Sequence, residues 1–540
     1  MTKTVGNVFS SELKSQGVKR IFGIPGGGSS VDLIDACSKE HITFELVQQE
    51  SSAAIMAVVS GELTSSLGAC ISIMGPGAAN LASGASYAYL ERHPLLVFSE
   101  CYGPKISPSM TLQKIDHQSL FNSVSKGSNV LDEMRTKSCL TEAVLIAKTE
   151  RPGPYHIDIP NALLTSDYLG TSDDLNDCSD SDSSDISAVT QIADTINSSE
   201  RPLLVIGPMA ARENLGHLLI DLIEKAGIAF MVTSKARGII TEDHPFYAGI
   251  VSGVYATNTF EAGMIGRSDL IIGVGLDRSE LLSGWQHDQP FIEIDSIYIE
   301  EDEKITTPIF TTYGQVSEVI KGITDGVINK NRWPLEFLSE YWSNVRGNLR
   351  INSDTFNSGA VIGLCRELCP DETILCTEAG VYGRVGLYAW KVKGNRTYFD
   401  SSGANTMGFS IPAVISASLE LPNQKSIAFV GDGGFMMKIS ELETIARMKT
   451  KPIIIVFNDG TLGMIRIKQK QKGLARDGVD LYQPNLVKIA ESFGGRGRLV
   501  QDISEFKTAL DQALKSDTFE IIDLRFDPDI YAADIPLIRG

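Results

Sequence analysis

Short apolar runs alternate with stretches of helical periodicity along nearly the whole chain. In the first third, the apolar runs lie at residues 21–24, 43–47, 69–74, 95–98 and 155–159. Each run has the length of a strand, and each is followed by a segment with helical spacing of its apolar positions. The pattern predicts β–α alternation, and therefore a parallel sheet covered by helices.

The same alternation occurs in two further blocks. Apolar runs lie at residues 202–207, 230–233, 270–275 and 291–295, and then at 373–376, 426–430, 452–457 and 520–524. An acidic, serine-rich segment at residues 171–185 has almost no apolar residues, which is typical of a solvated linker. The sequence predicts an α/β protein with three successive doubly wound parallel-sheet domains. The predicted boundaries are 1–168 for the first domain, 169–186 for the linker, 187–335 for the central domain and 350–540 for the third.

Composition narrows the class of protein. The 540 residues are 43% hydrophobic and 21% charged, as in globular proteins with substantial cores. A net charge of −19 argues against nucleic acid or an anionic membrane surface as a partner. We find no secretion signal and no apolar run near the roughly 20 residues of a membrane span, and the eight cysteines are scattered. These features predict a cytoplasmic protein with reduced thiols.

Two apolar runs of the third block end in residues suited to a metal-bound anion. The run at 426–430 leads into Gly-Asp432-Gly433-Gly434 and then a helical stretch. Glycines at such a turn let backbone amides approach an anion, but Asp432 would repel phosphate unless a divalent cation lay between them. Asn458 ends the next run and returns to the same edge of a parallel sheet, where it offers a neutral oxygen. The sequence therefore predicts a diphosphate bound through a hard metal ion, Mg²⁺.

This order and spacing resemble the signature of thiamine-diphosphate (ThDP) enzymes. The resemblance implies that Asp432, Asn458 and the carbonyl of Gly460 are the metal ligands. It covers essentially the full chain, and it implies a pyrimidine-binding domain, a central domain and a diphosphate-binding domain in that order. The cofactors expected are thiamine diphosphate and Mg²⁺.

Glu50 is the second position that the resemblance singles out. It follows one predicted strand and precedes a small, apolar helical stretch, where a glutamate alone is more often a helix-start residue that complements the dipole. The surrounding segment, however, resembles the strand–Glu–helix segment of ThDP enzymes. In that family the glutamate hydrogen-bonds N1′ of the aminopyrimidine, and the resulting imino tautomer removes the proton from C2 of the thiazolium. The resemblance implies that Glu50 is catalytic.

Other segments add implied cofactor contacts. Gly26 lies in a loop similar to the family's Pro-Gly-Gly loop, and Asn80 follows a Gly-Pro-Gly turn expected beside the pyrimidine ring. Met407 stands where a bulky apolar residue wedges between the two rings, and the backbone carbonyl of Asn405, in place of the usual Gly, would face the 4′-amino group. The remaining implied contacts are Val381, Tyr382, Gly433, Gly434, Leu462, Gly463 and Met464.

The reaction is predicted from the first domain. Simple 2-oxo acid decarboxylases carry adjacent histidines there, whereas this chain has none and instead has Gln113 where acetolactate synthases have an active-site glutamine. The resemblance favours decarboxylation of a 2-oxo acid followed by carboligation to a second carbonyl compound. A non-ligating decarboxylase or lyase acting on an anionic 2-oxo acid or acyl-CoA is the alternative. A non-catalytic paralogue is a third interpretation, which the intact Glu50, Asp432 and Asn458 disfavour.

Several positions depart from acetolactate synthases. Lys468 replaces a tryptophan of the acceptor pocket, and Val381-Tyr382 replaces Gln-His. Lys468 and Arg466 would suit an anionic substrate, unless both point to solvent. The stretches of the central domain that contact flavin in acetolactate synthases differ in this chain, so we expect FAD to be absent.

The expected assembly follows from the positions of Glu50 and Asp432. They lie in different domains, and in this family the two domains at one cofactor come from different subunits. A homodimer is therefore the smallest active unit expected, and a homotetramer is the favoured assembly.

Overall fold

The structure is a computed structural model that describes residues 3–104, 107, 109–170, 186–254, 258–281, 285, 287–299 and 306–539. The predicted acidic segment at 171–185 lies outside the described residues.

The first block forms a six-stranded sheet flanked by helices. Its strands are β1 (Arg20–Gly23), β2 (Thr43–Leu46), β3 (Gly68–Ser72), β4 (Leu95–Cys101), β5 (Ser128–Val130) and β6 (Pro154–Pro160). Its helices are α1 (Val5–Ser15), α2 (Ser29–Lys39), α3 (Glu50–Thr64), α4 (Pro76–Leu90), α5 (His117–Phe121) and α6 (Thr136–Lys148). The strand order is β2-β1-β3-β4-β6-β5.

The second block forms another six-stranded sheet. Its strands are β7 (Pro202–Ile206), β8 (Ala229–Thr233), β9 (Tyr247–Val251), β10 (Leu270–Val274), β11 (Phe291–Asp295) and β12 (Phe310–Tyr313). Its helices are α7 (Ile186–Ser198), α8 (Pro208–Arg212), α9 (Gly216–Ala226), α10 (Phe260–Ile265) and α11 (Val316–Gly326). The order β12-β11-β10-β7-β8-β9 is that of a dinucleotide-binding fold.

The third block repeats the topology of the first. After the connecting helix α12 (Leu335–Asn348), its strands are β13 (Ile374–Thr377), β14 (Tyr398–Phe399), β15 (Ser426–Gly431), β16 (Ile453–Asn458), β17 (Arg496–Val500) and β18 (Glu520–Arg525). Its helices are α13 (Ser358–Leu368), α14 (Val381–Ala389), α15 (Ser410–Glu420), α16 (Asp432–Met437), α17 (Glu441–Met448), α18 (Gly463–Gln471), α19 (Leu486–Ser492), α20 (Ile503–Leu514) and α21 (Ile535–Ile538). The order β14-β13-β15-β16-β18-β17 matches that of the first sheet strand for strand.

The predicted fold class is confirmed, since all three sheets are parallel and flanked by helices. Ligands of such sheets bind at the carboxyl ends of the strands, where the strand order reverses. In the third sheet that point lies between β13 and β15, whose strands end at Thr377 and Gly431. The topology alone therefore directs attention to the residues that follow these two strands.

The compact units of the chain do not follow the three sequence blocks. One unit comprises Met1–Cys178, Gly408–Ser426 and Met436–Pro452, and the other comprises the rest of the chain. Helix α15 thus belongs with the first sheet, where the Ser416 hydroxyl donates to the Met56 carbonyl of α3 at 2.8 Å. In the other unit, the second and third sheets share one continuous apolar core. The domain boundaries at residues 168 and 335 remain predictions.

Helix α17 begins without the side-chain cap that its sequence suggests. Ser440 precedes the helix in a Ser-Glu-Leu-Glu pattern typical of a capping box, but its side chain makes no capping hydrogen bond. The two glutamates bind elsewhere in the same unit: Glu441 accepts the backbone amide of Gln48 at 3.3 Å, and Glu443 accepts the side-chain amide of Gln48 at 2.6 Å. These residues fix α17 to the segment that leads into α3.

Candidate active site

A cavity of about 390 Å³ opens at the carboxyl ends of β13, β15 and β16. It brings together most of the residues that the sequence predicts for the third block. Those that line it are Val381, Tyr382, Asn405, Met407, Asp432, Gly433, Gly434, Leu462, Gly463 and Met464. Asn458 and Gly460 do not line it, but Gly460 is hydrogen-bonded to Asp432 and Asn458 ends the adjacent strand β16.

Asp432 is the buried carboxylate of this site. Its Oδ1 accepts the backbone amide of Gly433, and its Oδ2 accepts that of Gly460, both at 2.8 Å. Burial raises the pKa of Asp432 to about 6, and these two amides offset only part of the effect. The two amides therefore do not fully stabilise the ionised carboxylate, and a bound divalent cation would do so.

Asn458 is held in one orientation by a residue from another strand. Its Nδ2 donates to Oδ1 of Asp523 on β18 at 2.8 Å, and Oδ2 of Asp523 pairs with Arg525 at 2.7 Å. Because an ionised carboxylate only accepts hydrogen bonds, the Asn458 amide must turn its nitrogen to Asp523. Its Oδ1 then faces the other way, where it accepts Nε2 of Gln483 at 2.9 Å.

Gly460 cannot be replaced without strain at this place. Its φ is +71°, and a Cβ there would lie 2.8 Å from Nε2 of Gln483. Asp432, Asn458, Gly460 and Gln483 therefore form one compact cluster at the ends of β15 and β16. Two acceptor side chains and a backbone carbonyl of this kind suit a hard cation.

The cavity also has features that fit a diphosphate. The hydroxyl of Tyr382 is buried beside the backbone of Gly431, and its O–H donates to no acceptor among the described residues. It lies 3.5 Å from where a Cβ on Gly431 would be. At Gly433 a Cβ would crowd Met407 at 3.1 Å and Leu462 at 3.2 Å. A free donor and a glycine-lined floor permit the close approach of an anion.

The backbone of Asn405 adopts a left-handed conformation, which was not predicted from the sequence. Its φ is +48°, in the left-handed region that asparagine tolerates better than most residues. Its side chain is fixed by two contacts, because Nδ2 donates to the Ser402 carbonyl at 3.0 Å and Oδ1 accepts Nη2 of Arg384 at 3.0 Å. The substitution for glycine is thus accommodated by local hydrogen bonds.

In the other compact unit, Glu50 and Asn80 lie together. Glu50 is the first residue of α3 and is 8% exposed. Its Oε2 accepts Nδ2 of Asn80 on α4 at 3.1 Å, and its Oε1 lies 3.3 Å from where a Cβ on Gly77 would be. One carboxylate oxygen is therefore oriented by an amide, and the other faces a glycine that leaves room beside it.

The turn before α4 is fixed by a histidine that sequence reasoning missed. The amide of Gly75, at φ +68°, donates to Nε2 of His117 at 3.0 Å. Because Nε2 accepts, the protonated Nδ1 donates to Oδ1 of Asp158 at 2.7 Å. The backbone carbonyl of Gln113 packs on Gly75, 2.4 Å from where a Cβ would be, and the Gln113 side chain is exposed.

Gly26 lies at the end of β1 and packs against Ile73 and Glu100, where a Cβ would be 2.4 and 2.7 Å away. Ile73 also packs against Gly77, so Gly26 and the turn before α4 contact the same side chain. The amide of Gly26 donates to Oγ of Ser30 at 2.8 Å, and the Ser30 hydroxyl in turn donates to Glu100.

Comparison with known proteins agrees with this arrangement. Profiles of the thiamine pyrophosphate enzymes match the chain in order: the N-terminal TPP binding domain at residues 3–120, the central domain at 189–323 and the C-terminal TPP binding domain at 378–524. The chain belongs to the thiamine pyrophosphate enzymes.

Curated relatives indicate the branch of this family. The chain is 27% identical to a probable acetolactate synthase large subunit of Methanocaldococcus jannaschii, over 97% of this chain and 92% of that protein. It is 25% identical to the acetolactate synthase of Bacillus subtilis, over 95% and 92%. It is 24% identical to the acetolactate synthase isozyme 2 large subunit of Escherichia coli, over 95% and 94%. This thiamine-diphosphate-dependent enzyme thus lies in the acetolactate-synthase-like branch.

Two basic residues of α18, Arg466 and Lys468, differ in their surroundings in this ThDP enzyme. Lys468 is exposed and lines the cavity. Arg466 pairs with Asp529 at 3.1 Å. Of these two residues, Lys468 is therefore the one available to a bound anion. Arg384, which the sequence did not single out, also lines the cavity.

Two further features concern membrane-spanning helices and metal ligands. Within the described residues, no helix combines the length and the apolar character needed to cross a membrane. In the same part of the chain, the group of three metal-capable side chains is His117, His156 and Asp158, all buried. Each already has hydrogen-bond partners in the protein, so this cluster is structural.

Proposed function

We propose that this enzyme uses Mg²⁺-bound thiamine diphosphate to decarboxylate a 2-oxo acid and to join the remaining acyl unit to a second carbonyl compound. The observation that carries the cofactor assignment is the Asp432 cluster, with its orienting residue Asp523. Asp432, the Oδ1 of Asn458 and the carbonyl of Gly460 would hold Mg²⁺. When bound, the cofactor supplies an acyl-anion equivalent.

The chain's residues would prepare the cofactor for this chemistry. Glu50 would hold a proton shared with N1′ of the aminopyrimidine, while Asn80 keeps its carboxylate oriented. Met407, whose Cε packs over Gly433, would orient the two cofactor rings relative to each other. Tyr382 would donate its free hydroxyl to the diphosphate.

Ligation, rather than simple protonation of the acyl unit, is supported by His117. It is the histidine in the stretch where 2-oxo acid decarboxylases carry an adjacent pair. Both of its nitrogens are committed, one to the Gly75 amide and the other to Asp158. It is buried and has no proton to spare for an acyl unit. The acetolactate synthase relatives support the same choice.

The second candidate is a non-ligating decarboxylase for an anionic substrate, which the cavity cations Arg384 and Lys468 favour. For either activity we expect small-molecule substrates, a homodimer as the smallest active unit and a homotetramer as the full assembly, in the cytoplasm. FAD is expected to be absent.

Product analysis separates the two candidates. Purified protein is supplied with ThDP, MgCl₂ and a series of 2-oxo acids that includes pyruvate, and CO₂ release and products are followed by NMR. Ligation products such as acetolactate are expected, with none from the Asp432→Ala protein. Aldehyde without any ligation product would support the decarboxylase, and no CO₂ from any 2-oxo acid would reject both. A stoichiometric flavin spectrum of the purified protein would contradict the expected absence of FAD.

A further inference from the structure

The cavity of the third sheet is lined by three positively charged side chains. Arg384 on α14 and Lys468 on α18 both line it, and so does Arg539. Asp432 and Asp459 also line the cavity, at the ends of β15 and β16. Whether a cation is left for a substrate anion therefore depends on its position and its partners.

Arg384 is held in place without being neutralised. Its Nη2 donates to the neutral Oδ1 of Asn405 at 3.0 Å, and the Asn405 amide cannot rotate away because its Nδ2 donates to Ser402. In the part of the chain that the structure describes, Arg384 forms no ion pair with a carboxylate.

The electrostatic surroundings of Arg384 point the same way. Burial lowers the pKa of Arg384, and the nearby Arg539 lowers it further. Asp400 and Glu261 act in the opposite direction but offset only part of this. An anion beside Arg384 would relieve the repulsion between the two guanidinium groups.

Position separates Arg384 from the predicted diphosphate site. Asp432, Asn458 and Gly460 lie at the ends of β15 and β16, whereas Arg384 is anchored to the Ser402–Asn405 turn that follows β14. In the strand order, β14 lies on one side of β13, and β15 and β16 lie on the other. Arg384 thus lies away from the metal ligands, on the side where Asn405 would contact the pyrimidine.

We propose that Arg384, assisted by Lys468, binds an anionic group that the substrate carries in addition to the carboxylate lost as CO₂. The substrate class is a 2-oxo acid with a second carboxylate, sulfonate or phosphonate, and this identity rests on the proposed function. A planar guanidinium binds such oxygens with two parallel hydrogen bonds, and a site built for them rejects an analogue that lacks them.

The test compares 2-oxo acids of matched chain length with and without the second charge. The pairs are oxaloacetate, 3-sulfopyruvate or 3-phosphonopyruvate against 2-oxobutanoate, and 2-oxoglutarate against 2-oxopentanoate. We expect kcat/KM to favour the charged member of at least one pair by about 10²-fold or more. Arg384→Met should abolish this preference, Arg384→Lys should keep part of it, and Lys468→Met should reduce it less. Arg466→Met is the control, because its charge is already paired with Asp529.

Binding measurements keep the proposal testable if turnover is absent. Calorimetry with the Mg²⁺- and ThDP-loaded protein compares unreactive pairs, glutarate against pentanoate and succinate against butanoate. Tighter binding of a dianion to the wild type, lost in Arg384→Met, would support the anion site even if no 2-oxo acid released CO₂. Equal binding of the two members of every pair would overturn it. Weaker ThDP binding in Arg384→Met with the charged-substrate preference intact would also overturn it, by assigning Arg384 to the cofactor.

Discussion

Glu50 and Asp432 lie at corresponding edges of two sheets with the same strand order, yet their surroundings differ. Asp432 accepts a backbone amide at each of its two oxygens. Glu50 accepts one side-chain amide, and its other oxygen faces a glycine. The comparison shows that the sheet topology determines where a carboxylate lies, whereas its hydrogen-bond donors determine what it is suited to bind. The first arrangement suits a cation, and the second suits a shared proton.

The largest effect is expected at Asp432. Asp432→Ala removes the charged ligand, so we expect loss of ThDP retention with the fold intact, measured by equilibrium dialysis and circular dichroism. Dialysis against EDTA should release ThDP from the wild type, and both Mg²⁺ and ThDP should be needed to restore activity. Asp480→Ala, at an exposed carboxylate paired with Arg476, is the control. Full ThDP retention by Asp432→Ala would refute the metal site.

Glu50→Gln should separate binding from activation. The glutamine keeps the size and a hydrogen-bonding group but cannot share the proton, so ThDP should still bind. Exchange of the cofactor C2 proton in D₂O, followed by NMR after acid quench, should slow by about 10²–10⁴-fold together with turnover. Glu40→Gln, at a surface residue paired with Lys14, should leave exchange unchanged. An unaltered exchange rate in Glu50→Gln would make Glu50 a helix-start residue only.

Asp523 tests whether orientation of Asn458 matters. In Asp523→Asn the new side chain can donate as well as accept, so the Asn458 amide is no longer forced to turn its oxygen away from β18. We expect the Mg²⁺ concentration for half-maximal ThDP binding to rise by about 10–100-fold, with recovery at saturating Mg²⁺. Asp517→Asn, at an exposed partner of Arg496, is the matched control. An unchanged Mg²⁺ requirement would leave Asp523 with a packing role alone.

Acid should affect the first and third sheets in opposite directions. Burial lowers the pKa of His156, on β6, from 6.5 to about 4. Between these values the unfolded chain binds more protons, so stability falls as the pH falls, by about 3 kcal/mol in total. Burial raises the pKa of Asp432 to about 6 and that of Asp459 to about 7. These carboxyls bind protons more readily when folded, so without metal their part of the chain should gain stability over the same range.

Hydrogen exchange of the metal-free protein at pH 7 and pH 5 checks this contrast. Protection should fall around β5 and β6 and hold or rise around β15 and β16. His156→Leu should remove most of the loss in the first sheet. Equal changes in both regions, or no dependence on His156, would contradict the assignment.

The sequence predicted the interior of each sheet better than its edges. Every interior strand lies on one of the apolar runs, because a strand covered on both faces is continuously apolar. The runs missed the edge strands β5, β9, β12, β14 and β17. Most of these are partly exposed, as Arg496–Val500 shows, and β14 has only two residues. Such short, mixed segments carry no periodic signal.

The candidate site divides in a similar way. Residues in local motifs, such as Glu50, Asp432 and Asn458, were identifiable because the motif itself places them at strand ends. The residues that hydrogen-bond to functional or neighbouring side chains from distant parts of the chain were not identifiable in this way. Asp523 reaches Asn458 through strand pairing across 65 positions, and Asp158 reaches His117 across 41. A polar residue inside the apolar run at 520–524 was the available signal for Asp523.

The membership of α15 and α17 in the first compact unit limits how this protein can be cut for engineering. Helix α15 is buried along most of its length, and its Glu420 accepts Oγ of Ser60 at 2.6 Å. A fragment that starts at residue 350 would carry this helix without the surface that covers it. Such a fragment should expose the apolar face of α15 and aggregate. Chimaeras between relatives should therefore exchange all three segments of a compact unit together.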